Sequence, residues 1–102
     1  MTYQVVAGIE AAREWYAAVK WYEEQEPGVG LRFDEELRGF LLALAHEPER
    51  FRLVTRLCRK ARLPKPWPYS VYFTVNRKLK KVEILALWHA ARNPADLKRR
   101  LR

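Results

Sequence analysis

The chain has 102 residues, 49% of them apolar and 13% aromatic, with a formal net charge of +8. That is the size of one domain with enough apolar surface for its own core, which excludes general disorder and a multidomain array. Cys58 is the single cysteine, so an intrachain disulfide, a C-x-x-C pair and a cysteine-rich zinc site are excluded.

No apolar run reaches the length of a membrane span. The segment Met1–Val6 has no basic start followed by an apolar signal core. The expectation is a cytoplasmic protein with no membrane contact, no metal and no cofactor. The charge is split along the chain. Residues 1–51 carry 5 Lys/Arg and 10 Asp/Glu, net −5, whereas residues 52–102 carry 15 Lys/Arg and 2 Asp/Glu, net +13. Such asymmetry predicts a face that meets an anion, either nucleic acid or an acidic protein.

Tyr3–Ala7 is β-rich and ends at Gly8, which predicts a first strand. From Ile9 the period becomes helical. Ile9, Ala12, Tyr16 and Val19 form a stripe that Ala11, Trp15, Ala18 and Tyr22 widen, while Glu10, Arg13, Glu14, Lys20, Glu23 and Glu24 fall largely outside it. Trp15, Tyr16, Trp21 and Tyr22 are read as core and hairpin packing. Glu26-Pro27-Gly28-Val29-Gly30 stops the helix. A second helix runs from Leu31 to about His46, before Pro48, with Phe33, Leu37, Phe40, Leu41 and Leu44 on one stripe. The two form a helical hairpin that must bury its stripes on another layer.

The second half supplies that layer. Leu57, Arg59, Ala61 and Leu63 alternate with Arg56, Cys58, Lys60 and Arg62, a weak strand signal ended by the prolines of Leu63–Pro68. Tyr69–Asn76 alternates with period two, and Val82–Trp88 is apolar on both faces after Glu83, as in a central strand. Arg77–Lys81 joins them as a charged loop, so Tyr69–Trp88 reads as an antiparallel hairpin; the order of the other strands is open. A short C-terminal helix follows, capped by Asn93, with Pro94 first and Asp96 in its first turn. The expected class is α+β: a strand, a helical hairpin, then antiparallel strands in one sheet packed on the helices, and a short helix.

The ordered motifs resemble those of the RelE/ParE family of bacterial toxins. The Trp21–Leu37 segment resembles the family's helix–turn–helix. Pro48, the basic strand Arg59–Arg62, the Trp67-Pro68-Tyr69 strand start, and the ending His89, Arg92 and Pro94 follow in the family's order. The resemblance covers nearly the whole chain, as one toxin domain over residues 1–102. It implies a growth-inhibiting toxin neutralised by a cognate antitoxin, a small and often acidic protein, within a toxin–antitoxin hetero-oligomer. RelE-like members cleave messenger RNA in the ribosome; ParE-like members poison DNA gyrase.

Cleavage by attack of a 2′-hydroxyl on phosphate needs a base, an acid and cations. Arg59, Lys60, Arg62 and Arg92 are candidate cations, and His89 is the candidate acid or base, with His89 and Arg92 catalytic only in a nuclease. Arg59, Lys60, Arg62, Arg77, Lys78, Lys80 and Lys81 are candidate target- or nucleic-acid-binding residues. By strand parity Arg59 and Arg62 face opposite ways, so only one of them lines a shared groove. RelE-like cleaving members often carry a tyrosine shortly after the terminal arginine; here Asn93 to Leu97 hold none, and the ending is closer to ParE-like members. Two readings of His89 stand, a working group or a strand-end hydrogen bond. The same holds for the loop bases, a binding patch or a solvated tip. The readings are ordered: a gyrase poison, then a ribosome-dependent nuclease, then a non-toxic basic nucleic-acid-binding domain.

Overall fold

The computed structural model describes residues 2–101 as β1 (Gln4–Ala7), α1 (Ile9–Gln25), α2 (Val29–Leu44), a 3-10 turn (Pro48–Arg50), β2 (Cys58–Arg62), β3 (Tyr69–Asn76), β4 (Lys81–His89) and α3 (Pro94–Arg100). The sheet order is β1-β4-β3-β2, with β1 parallel to β4 and the other pairs antiparallel. β4 is therefore central, as its apolar run predicts. The strand–hairpin–sheet–helix order is the expected α+β arrangement.

The helical hairpin covers one face of the sheet. Phe33, Leu37, Leu41 and Leu44 of α2 meet Ala61, Val71, Phe73, Val82, Ile84 and Leu87 from the strands, with Trp67 closing one end. On α1 the buried stripe is Ala11 and Ala18, flanked by Trp15 and Tyr22. This corrects the expected stripe: Ile9 is 74% and Tyr16 72% exposed. The apolar surface of α1 is wider than the arc it shares with α2 and the sheet, so one edge stays wet. Trp21 also lies outside the core, whereas Tyr22 stacks against Phe33, Trp67 and Tyr69.

α2 starts at Val29, earlier than the Leu31 expectation. The reason is Glu23, whose carboxylate accepts from the amides of Gly28 (2.8 Å), Gly30 (3.0 Å) and Leu31 (3.4 Å). It caps α2 from the neighbouring helix and satisfies donors that no intrahelical acceptor reaches. Gly28 takes the reversal with φ 94°, open to glycine at little cost. Gly30 lets the helices touch: a Cβ there would stand 2.4 Å from the Val19 carbonyl oxygen.

A bulge sets which side chains reach the second face. Tyr72 pairs with Ala86 and Phe73 with Ile84, so Leu85 is an extra residue in β4. Parity flips across it: Val82 and Ile84 face the helices, and so does Leu87. Ala86 and Trp88 turn to the opposite face, where they pack with Cys58, Tyr72 and Leu97 of α3. The sheet is thus covered on both sides, by a helical hairpin and by one short helix.

Candidate target-binding face

β2 shares out the basic strand by parity. Arg59 points away from the α3 face, and its Nη1 donates to the carbonyl oxygens of Glu49 (2.9 Å) and Phe51 (2.6 Å). Its side chain is 19% exposed and ties β2 to the 3-10 turn. Lys60 and Arg62 point the other way, into a cleft of about 230 Å3 between the sheet and α3, together with Arg92, Tyr72 and Trp88. Lys60 and Tyr72 also line an adjoining hollow of about 410 Å3 beside Arg52 and Lys98. Among the described residues, no carboxylate and no histidine lines either hollow. Among the described residues, neither Lys60 nor Arg62 joins an ion pair. The Tyr69 phenol, on the rim, is pushed up to about 12 by burial and by Tyr22.

Arg92 reaches this cleft but is not free in it. Its Nη1 lies 2.5 Å from the Glu14 carboxylate, and its guanidinium stacks 3.7 Å over the Trp88 ring. Glu14 is a hub. It also accepts from the Leu87 amide at 3.0 Å and from Arg100 at 2.9 and 3.1 Å. Arg100 donates in turn to the Leu85 carbonyl at 2.8 Å. β1 stops pairing with β4 at Ile84, and these two side chains satisfy the backbone groups of β4 just beyond it. Burial raises the Glu14 carboxyl, but the bonds from Arg100, Arg92 and Leu87, with the charge of Arg100, outweigh it and hold it below its ordinary value. The first-half acids are therefore not all solvated: Glu14 is a largely buried link to the basic half.

His89 falls outside the cleft lining. Its Nδ1 accepts from the Ala91 amide at 2.9 Å, and its ring meets Tyr69 edge-on with centroids 5.0 Å apart. The structure thus brings Lys60, Arg62 and Arg92 together and sets Arg59 and His89 apart from them.

The remaining bases surround the β3–β4 turn. Arg77 pairs with Glu49 at 2.6 Å, and Lys80, in the left-handed region at φ 53°, lies 5.2 Å over the Tyr3 ring. Lys78 and Lys81 line a separate groove of about 770 Å3, shared with Arg56 and three leucines. Sequence reasoning missed Glu14, Arg52 and Lys98. Only the last two had a signal, membership of the basic half.

A cleft walled by cations and aromatic rings attracts phosphate or carboxylate groups. With no histidine or carboxylate among the described residues on its walls, it suits holding an anion better than moving a proton near neutral pH. Among the described residues no helix is long and apolar enough to cross a membrane, and no cluster of three His, Cys, Asp or Glu could hold a metal.

Fold and basic face are those that the RelE/ParE resemblance implies. The chain belongs to the ParE family, described as "ParE toxin of type II toxin-antitoxin system, parDE", whose model matches residues 10–94. Solved structures share the fold. The chromosomal ParDE toxin–antitoxin system of P. aeruginosa aligns at TM-score 0.73 and 18% identity, covering 86% of this chain and 96% of that one. The intact E. coli RelBE toxin–antitoxin complex aligns at 0.64 and 20%, covering 88% and 99%. The archaeal RelE–RelB complex from Pyrococcus horikoshii OT3 aligns at 0.58 and 24%, covering 91% and 100%. No curated protein matches the chain.

Proposed function

We propose that this protein inhibits bacterial growth by poisoning DNA gyrase and is held inactive by a cognate antitoxin. One observation carries the choice of mechanism. Among the described residues, the cleft that would seat RNA offers Lys60, Arg62 and Arg92 beside Tyr69 and Tyr72 but no histidine or carboxylate, and Arg92 is already engaged by Glu14 and Trp88. Transfer of a proton from a 2′-hydroxyl and to a leaving oxygen would fall to Lys60 or a tyrosine there, without the histidine or carboxylate that ordinarily serves near neutral pH. Membership of the ParE family supports the same choice. The antitoxin follows from the toxin–antitoxin complexes among the structural relatives. An acidic segment that folds on binding suits the basic face, and its affinity would fall with salt.

Purified chain added to gyrase and relaxed plasmid should block supercoiling and trap cleaved DNA. No inhibition at concentrations that stop growth would overturn the reading. Lys60 and Arg62, outside any ion pair among the described residues, favour a second reading, a ribosome-dependent nuclease, in which His89 and Arg92 would be catalytic. Cuts in codon register on a defined message, in a translation extract, would establish it.

A further inference from the structure

The groove at the β3–β4 turn differs in character from the cleft under α3. It is the larger, at about 770 Å3, and leucines stand on its walls: Leu53 49%, Leu57 71% and Leu79 63% exposed. Single exposed leucines are ordinary, but three around one hollow form a patch. Arg56, Lys78 and Lys81 border it, and among the described residues none of them joins an ion pair.

Both loops that present the leucines are held. In the loop before β2, the amides of Val54 and Thr55 donate to the Cys58 carbonyl at 2.8 and 3.3 Å, and the Cys58 amide donates back to Thr55 Oγ1 at 3.0 Å. In the β3–β4 turn, the Leu79 amide donates to Asn76 Oδ1 at 3.0 Å, and Glu49 anchors Arg77 at 2.6 Å. A surface ordered before its partner arrives loses less entropy on binding.

We propose that this groove is where the toxin docks on its protein target, taking a segment that carries leucine-sized apolar side chains flanked by carboxylates. The inference rests on the reading of the chain as a poison that acts on a protein. Charge complementarity selects an acidic segment. The leucines select protein over nucleic acid, because phosphate backbone gains nothing from them.

The test compares Leu57→Asp/Leu79→Asp and Lys78→Glu/Lys81→Glu with wild type, and with Leu31→Asp as an exposed-leucine control outside the groove. Readouts are growth arrest on induction in bacteria, inhibition of purified gyrase, binding to duplex DNA and thermal melting. Both double variants should lose about tenfold or more in potency, as loss of interface anchors does. Melting should stay that of wild type, duplex binding of the leucine variant should be unchanged, and Leu31→Asp should act as wild type. Full potency in the leucine variant overturns the proposal. So does an equal loss of duplex binding, which would mark a nucleic-acid surface. Should wild type arrest growth without inhibiting gyrase, the gyrase reading falls, and loss of growth arrest in both double variants still supports the groove.

Discussion

Arg100 grips Glu14 across 86 positions of sequence, Nη2 to Oε1 at 2.9 Å, and so fastens α3 to α1. Both side chains are largely buried, at 17% and 14% exposure. Removing Glu14 leaves the buried Arg100 with only the exposed Glu10, 3.0 Å away, as an ionic partner among the described residues, a loss of a few kcal/mol. Glu14→Ala should therefore destabilise the protein by about 3 kcal/mol in chemical denaturation. Glu14→Gln, which still accepts from the Leu87 amide, should lose less. Hydrogen exchange should show α3 opening first in both variants. Equal protection of α3 in Glu14→Ala and wild type would refute the latch.

The same carboxylate gives a pH signature. Glu14 is held below its ordinary 4.5, and Asp34 is likewise lowered, where bonds from Arg38 and Trp15 outweigh burial. A lowered carboxyl contributes stability that is fully present above the unfolded value and is lost as pH falls through the folded one. Stability should therefore decline below about pH 4.5, with a shallower decline in Glu14→Gln. At the alkaline end the sign reverses. Tyr69 is raised from 10.0 to about 12, so its contribution is intact below 10.0 and lost as pH rises through about 12. Burial raises Tyr22 as well, so ultraviolet absorbance should show two late-titrating tyrosines, one of which is lost in Tyr69→Phe.

Neighbouring bases on β2 should separate cleanly. Arg59→Ala removes donors to two carbonyl oxygens and should cost about 2 kcal/mol of stability. Lys60→Ala/Arg62→Ala should change stability by no more than about 0.5 kcal/mol. It should instead weaken oligonucleotide binding and lower the salt dependence by about two released counterions. Titration at several salt concentrations, beside urea melts, measures both. An unchanged salt dependence in the double variant would remove the cleft as an anion site.

The helical turn gives a steric test. Gly30→Ala places a Cβ 2.4 Å from the Val19 carbonyl oxygen and 2.9 Å from Glu23. The helices must part, at a cost of about 3 kcal/mol. Gly28→Ala meets no neighbour but must adopt φ 94°, a cost of about 1 kcal/mol. Denaturation midpoints should rank Gly30→Ala well below Gly28→Ala, and Gly28→Ala below wild type.

Sequence periodicity was reliable where one pattern met one environment. Phe33, Leu37, Leu41 and Leu44 repeat with the helix and are all buried, and the alternation of Tyr69–Asn76 is a strand. It failed on α1, where apolar residues span more of the helix than the core can cover and nothing local says which arc stays exposed. It also could not foresee the turn of β4 at Leu85, since a bulge leaves no mark in an unbroken apolar run. Parity alone predicted that Arg59 and Arg62 part company. Which of them reaches the cleft depends on where the helices sit.

By itself the sequence determined the α+β order, the two-helix hairpin, the central β4 and the concentration of positive charge after residue 51, because each follows from local propensity, period or composition. Tertiary structure alone decided how that charge is deployed. Folding puts Glu14 beside Arg92 and Arg100, and Glu49 beside Arg59 and Arg77, which commits those arginines to the fold. Lys60 and Arg62 in the cleft, and Lys78 and Lys81 beside the leucines, remain outside any ion pair among the described residues. Long-range pairing depends on distance in space, and a one-dimensional pattern of charge carries no record of it.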